Sequence, residues 1–142
     1  MLWAGKRVLI VGLGRSGLAA IRALHPRGAV LGAYDAKEKG QLDLEILKEL
    51  DHLGVPVLGG GNPFMDPAAW DLVVVSPGVP QDAQIMQMIY AAGIPVIGEL
   101  ELAYQLKQPQ IEIYAVTGTN GKTTTTALLH HILERDGRLT AV

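Results

Sequence analysis

Short apolar runs, each closed by a turn and followed by a stretch with helical spacing, recur along this chain and restrict what it can fold into. Residues 6–11 are mostly β-branched and aliphatic and read as a buried strand. Gly12-Leu13-Gly14-Arg15-Ser16-Gly17 then turns into a helix expected over 16–24, which Pro26 and Gly28 end. A second strand is expected over 30–34, closing at Asp35, and Leu42, Ile46, Leu47 and Leu50 place a helix over 42–53. A third strand at 55–58, an irregular loop at 59–63 and a strong strand at 71–75 follow. A helix over 83–92, a strand at 95–97 and a helix over 99–106 complete the series. The strands are too uniformly apolar to have a wetted face, so they belong in a parallel sheet covered on both sides, an α/β fold of Rossmann-like type.

The polar stretch 107–110, with its proline, is the best boundary, giving expected domains of 1–108 and 109–142. Beyond it, a strand over 111–116 leads into Thr117-Gly118-Thr119-Asn120-Gly121-Lys122-Thr123, then a helix to about Arg135. Residues 139–142 read as the start of another strand. A strand and helix of this kind belong in a larger sheet, so the second domain is expected to be an incomplete P-loop domain. Self-association or fraying of that part is a corollary.

Composition removes several classes. Twelve Lys plus Arg against 14 Asp plus Glu give a net charge of −2, which offers no field for nucleic acid or an anionic membrane. With no cysteine there is neither a disulfide nor a thiolate metal site. The opening apolar stretch is too short for a signal peptide, and 8–11 is far below a membrane span, so a cytoplasmic home is expected. The four histidines show no metal-ligand spacing; His130 and His131 are adjacent and point in different directions.

Two glycine loops carry the chemistry. Gly12, Gly14 and Gly17 follow a strand in the order G-x-G-x-x-G: one for the tight turn, one for close approach of a pyrophosphate, one for helix–strand packing. The amides at the helix start then favour an anion. Asp35 stands where a ribose-binding carboxylate would sit in a nicotinamide enzyme, or caps a turn. From these residues alone, a nicotinamide or flavin site, another nucleotide-linked ligand and a purely structural turn all remain open, and Ser16 is either a ligand contact or a helix cap.

The second loop is more specific, although only two residues separate Gly118 from Gly121-Lys122-Thr123, where the commonest P-loop has four. Consecutive amides from Gly118 to Thr123 can wrap phosphate oxygens, Lys122 can bridge the terminal phosphates, and the Thr123 hydroxyl can ligate Mg²⁺. This pattern calls for a nucleoside triphosphate and Mg²⁺. Thr124, Thr125 and Thr126 either touch nucleotide or bond locally. Ser76-Pro77-Gly78 follows a strand at the expected ligand edge and is either a structural turn or a contact. Glu99 and Glu101 favour the start of their helix.

Taken together, these segments resemble the Mur ligases, ATP-dependent amide-bond ligases of bacterial cell-wall synthesis. The segments are 12–17, then Asp71-Leu72-Val73-Val74-Val75-Ser76-Pro77-Gly78-Val79-Pro80, Gly98-Glu99-Leu100-Glu101-Leu102, and 116–124. The first glycine loop with Ser76-Pro77-Gly78 is most similar to the D-glutamate-adding branch. The resemblance implies that the first domain holds a UDP-sugar, UDP-N-acetylmuramoyl-L-alanine, and not NAD. Amides around Leu13, Gly14, Arg15 and Ser16 would then meet the pyrophosphate, Asp35, Ala36 and Lys37 would lie near the uracil, and Gly78 would lie close by. Ala36 and Lys37 depart from the Thr or Ser then Arg frequent in the family. Gly118, Thr119, Asn120, Gly121, Lys122, Thr123 and Thr124 would bind ATP, with Lys122 catalytic and Thr123 on Mg²⁺. The substrate carboxylate would become an acyl phosphate, attacked by D-glutamate that a carboxy-terminal domain orients, so the 142 residues alone are expected to be inactive. A nicotinamide-binding Rossmann module fused to a P-loop domain is the alternative.

Overall fold

The computed structural model describes residues 3–59 and 69–142, which divide into two compact units, Met1–Lys107 and Gln108–Val142. Residues 60–63 of the expected irregular loop lie outside the described residues.

The first unit is a five-stranded parallel sheet in the order β3-β2-β1-β4-β5, formed by β1 (Arg7–Val11), β2 (Val30–Asp35), β3 (Val57–Gly59), β4 (Leu72–Val75) and β5 (Val96–Gly98). The helices are α1 (Arg15–Leu24), α2 (Leu44–His52), α3 (Gln84–Ala91) and α4 (Glu99–Leu106). Expected and observed elements agree in kind and order here, with ends shifted by a residue or two.

Strand residues alternate between two cores, as the period of two requires. Val8, Ile10, Leu72 and Val74 pack on one face with Leu18, Ile21 and Leu24 of α1, Leu50 of α2 and Leu102 of α4. Leu9, Val11, Val73 and Val75 pack on the other face with Ile85, Met86 and Ile89 of α3. Every residue of β4 and all but Arg7 of β1 are buried, which explains why neither strand carries a polar alternation. Truncating such a side chain, Ile10→Ala for example, costs about 2–5 kcal/mol.

At the N-terminal edge of the sheet, Arg7 and Asp71 clamp β1 to β4. Guanidinium Nη2 and Nε donate to the carboxylate at 2.6 and 3.2 Å, and the Arg7 amide donates to it at 2.8 Å. The pair holds the Asp71 carboxyl down at about 2, chiefly through the guanidinium and then the amide.

The second unit corrects two expectations. Residues 111–116 and 139–142 form no strand; the regular element is α5 (Lys122–Arg135). A strand exists only through a hydrogen-bonded neighbour, and neither segment has one among the described residues. Ile111, Ile113 and Tyr114 accordingly stay exposed, and α5 buries no residue.

Candidate nucleotide site

The strand order reverses direction between β1 and β4, and the connections leaving their carboxyl ends diverge there. In open α/β sheets that divergence leaves a crevice. A cleft of about 400 Å³ lies at this point, lined by the turn after β1, the end of β2, and residues 76–80 after β4. Gly12, Gly14, Ser16, Asp35, Ala36 and Gly78 all line it. Of the residues expected to meet the UDP-sugar, Gly14, Ser16, Asp35, Ala36 and Gly78 line the cleft, and Leu13, Arg15 and Lys37 do not. Sequence reasoning missed Tyr34, Val79, Pro80, Ala83 and Ile85, which make much of the lining apolar. Tyr34 could have been found from its place beside Asp35 at the strand end.

Each glycine of the turn has its own physical cause. Gly12 has φ +94°, a conformation L side chains rarely adopt, and a Cβ there would also meet Ser76 Cβ at 2.9 Å. A Cβ on Gly17 would lie 1.9 Å from the Gly12 carbonyl oxygen, so α1 could not pack this close to the strand end. Gly14 differs. Its φ of −71° and ψ of −172° suit any residue, and a Cβ would meet nothing within 4 Å. Gly78 also faces open space.

Gly14 is the N-cap of α1, where no side chain caps the helix and no acidic residue occupies the first turn. Ser16 is therefore not the cap. The contrast with α2 is direct: there Asp43 accepts from the Glu45 amide at 2.8 Å. Gly14, Arg15 and Ser16 are exposed, whereas the Leu13 side chain is buried. The Leu13 amide donates to Asp35 Oδ2 at 2.9 Å, and the Lys37 amide donates to Oδ1 at 3.0 Å. Asp35 thus ties the turn to the end of β2. Ala36 and Lys37 are exposed just beyond it.

Ser76 lies behind the turn, with Oγ 3.1 Å from the Gly12 carbonyl oxygen and 2.7 Å from Glu99 Oε1. Glu99 and Glu101 do occupy the first turn of α4, and Glu101 also accepts from Gln105 Nε2 at 2.9 Å.

In the second unit, Gly121 caps α5 with φ +77°, a left-handed conformation open to glycine, and no acidic residue occupies the helix's first turn. Lys122 folds back over the loop and donates to the Gly118 carbonyl at 2.6 Å, with the Thr119 carbonyl at 3.4 Å. The ammonium thus stands at the loop that carries Gly118, Thr119, Asn120 and Gly121, and Thr123 and Thr124 follow in the first turn of α5. Thr126 instead donates back to the Lys122 carbonyl at 2.9 Å, so it bonds locally. His130 Nδ1 pairs with the Thr140 hydroxyl at 2.6 Å. Among the described residues no three or more His, Cys, Asp or Glu side chains gather to hold a metal ion, and no helix is long and apolar enough to cross a membrane.

A parallel sheet covered on both faces, with a glycine turn at its switch point, defines a Rossmann-like α/β domain. Residues 6–98 match the Mur ligase MurD-like N-terminal domain, and 116–142 match the Mur ligase middle domain. The chain belongs to the MurD-like Mur ligases. It is 45% identical over 138 residues to the UDP-N-acetylmuramoylalanine–D-glutamate ligase of Koribacter versatilis, covering 97% of this chain and 30% of that protein. The ligase of the same name from Pelotomaculum thermopropionicum is 47% identical over 137 residues, covering 96% of this chain and 30% of that protein. The chain thus spans about 30% of the length of these curated relatives. Among solved structures, the UDP-N-acetylmuramate-alanine ligase of Thermotoga maritima is 30% identical with a TM-score of 0.53, covering 90% of this chain and 29% of that one. The murein peptide ligase of Psychrobacter arcticus shares the fold at a TM-score of 0.65 and 24% identity, covering 94% of this chain and 27% of that one.

Proposed function

We propose that this chain is the nucleotide-handling part of an ATP-dependent amide ligase that adds D-glutamate to UDP-N-acetylmuramoyl-L-alanine. Residues 1–108 form the UDP-sugar domain and 109–142 belong to the P-loop ATP-binding domain. The observation that carries the reading is Gly14. The fold makes no steric demand for glycine there, yet it stands at the uncapped start of α1 and lines the cleft. Space kept clear of a side chain beside unpartnered helix-start amides suits a diphosphate.

In this reading the turn around Gly14, Arg15 and Ser16 takes the pyrophosphate. Leu13 contributes through its tie to Asp35. Asp35, Ala36 and Lys37 border the uracil, and Gly78 leaves room on the opposite wall. Fixing the remote diphosphate helps orient the reacting carboxylate.

The loop over Gly118, Thr119, Asn120 and Gly121, with Lys122, Thr123 and Thr124, takes ATP. The folded-back ammonium and the carboxylate-free start of α5 fit a polyphosphate. Lys122 neutralises charge on the transferring phosphoryl group. The Thr123 hydroxyl is a hard oxygen donor of the kind Mg²⁺ takes together with substrate phosphates. Bound there, Mg²⁺ would supply further charge neutralisation. The substrate carboxylate oxygen takes the terminal phosphoryl group of ATP as the bond to ADP breaks, so the activated carboxyl is an acyl phosphate and ADP is the leaving group. The D-glutamate amine attacks its carbonyl carbon, phosphate leaves, and the amine gives up a proton. A carboxy-terminal domain orients that amine, and the work is cytoplasmic.

Titration calorimetry of the 142-residue chain with UDP-N-acetylmuramoyl-L-alanine, UDP and NADH tests the reading. Binding of the two uridine compounds and not of NADH is expected; the reverse preference would overturn it.

A further inference from the structure

Ser76 is the one buried polar side chain among the described residues, and the function above gives it no task. Its hydroxyl has a single proton and two acceptors in reach, the Gly12 carbonyl at 3.1 Å and Glu99 Oε1 at 2.7 Å. The carboxylate is the stronger acceptor, being charged and closer. Half-buried Glu99 comes from the first turn of α4, 23 residues along the chain. Ser76 in turn fills the space beside both framing glycines of the turn. A Cβ on Gly12 would lie 2.9 Å from Ser76 Cβ, and one on Gly17 would lie 3.3 Å from its Oγ.

We propose that Glu99, acting through Ser76, is a positioning residue that holds the turn from Gly12 to Gly17 in the geometry that receives the diphosphate. The proposal rests on the functional reading above. Glu99 fixes the rotamer of Ser76, Ser76 wedges against Gly12 and Gly17, and the exposed residues between them are thereby held with their amides outward. Without the carboxylate the hydroxyl turns to the Gly12 carbonyl alone. Without the hydroxyl, Glu99 loses its hold on the turn.

The test compares the 142-residue chain with its Ser76→Ala, Glu99→Ala, Glu99→Gln and doubly alanine-substituted forms. Affinities for UDP and for uridine are measured by calorimetry, and hydrogen exchange is followed at the amides of 13–17. Each single alanine variant is expected to bind UDP about tenfold more weakly, with uridine affinity changed less than about twofold. The double variant should match the singles, because they break one linkage. Glu99→Gln should recover most of the affinity, since its amide oxygen accepts the same proton. Exchange at 13–17 should quicken in both single alanine variants. Unchanged UDP affinity, additive losses or equal loss toward uridine would each overturn the proposal. If the unsubstituted chain binds neither uridine compound, the functional reading falls by itself. Exchange then decides this proposal, and unchanged exchange at 13–17 overturns it. Should Ser76→Ala fail to fold, the two Glu99 variants carry the same comparison.

Discussion

The Leu13 amide donates to the Asp35 carboxylate at 2.9 Å, joining the glycine turn after β1 to the last residue of β2. The second carboxylate oxygen accepts from the Lys37 amide at 3.0 Å. One side chain therefore shapes two neighbouring segments of the cleft wall.

Asp35→Ala removes both bonds and leaves the part-buried Leu13 amide without its acceptor. A loss of about 1–3 kcal/mol is expected, from the price of an unsatisfied amide. Asp35→Asn keeps one carbonyl-type oxygen and should lose less. Thermal denaturation of the three proteins, followed by circular dichroism, gives the ranking; equal melting temperatures would contradict it.

Two glycines of the same turn should respond in opposite ways. Gly14→Val places its Cβ in open space, so the fold should lose no more than the roughly 1 kcal/mol of a poorer helix cap while affinity for UDP falls at least about tenfold. Gly17→Ala drives a methyl group to 1.9 Å from the Gly12 carbonyl oxygen, so the fold should lose about 1–3 kcal/mol or more. Calorimetry and melting on the same samples separate the cases.

The Arg7–Asp71 clamp makes stability depend on acid. The folded Asp71 carboxyl titrates at about 2, below its ordinary 3.8, so the folded state binds the proton less readily than the unfolded state. Its contribution is complete above the ordinary value and disappears as pH falls from about 4 toward about 2. Both side chains keep solvent contact, which screens the pair and makes the effect small and salt-sensitive. Arg7→Ala should raise the Asp71 carboxyl part of the way, because the residue 7 amide still donates. A carboxyl-carbon NMR titration reads this directly.

In a protein of the curated relatives' full length that carries this sequence, Lys122→Ala should slow ligation by about 10²-fold or more through lost stabilisation of the transferring phosphoryl group. Product formation within twofold of the parent would remove Lys122 from that role.

The 142 residues by themselves should form no ligated product. Amide formation needs acyl phosphate and amine held near contact, and in the proposed reading a carboxy-terminal domain orients that amine. Incubation with ATP, Mg²⁺, UDP-N-acetylmuramoyl-L-alanine and D-glutamate, assayed for phosphate and product, checks this. Turnover near 1 per second, roughly an ordinary enzyme rate, would contradict it.

The order of elements in the first unit was legible because its cues are local: glycines where the chain turns, and uniformly apolar strands. The roles of Gly12 and Gly17 were readable for the same reason. The Ser76–Glu99 contact was not, because it joins two segments that only the folded sheet brings together. Residues 111–116 misled in the opposite sense. Ile111, Ile113 and Tyr114 have strand-forming side chains, but composition cannot supply the neighbouring ladder that makes a strand. Tyr34, Val79 and Ile85 were missed as cleft residues because apolar side chains at strand and loop ends look alike whether they face a core or a ligand.

The central position of β1 also sets a timetable for folding during synthesis. Its first partner, β2, is made soon after it, but the partner on its other side begins at Leu72, 64 residues after the Val8 it pairs with. At roughly 5–20 residues per second, the ribosome needs about 3–13 s to make that stretch. Throughout that interval the apolar edge of β1 has no strand to pair with. A nascent chain stalled before Leu72 would therefore expose one side of the sheet's central strand, a surface suited to chaperone capture.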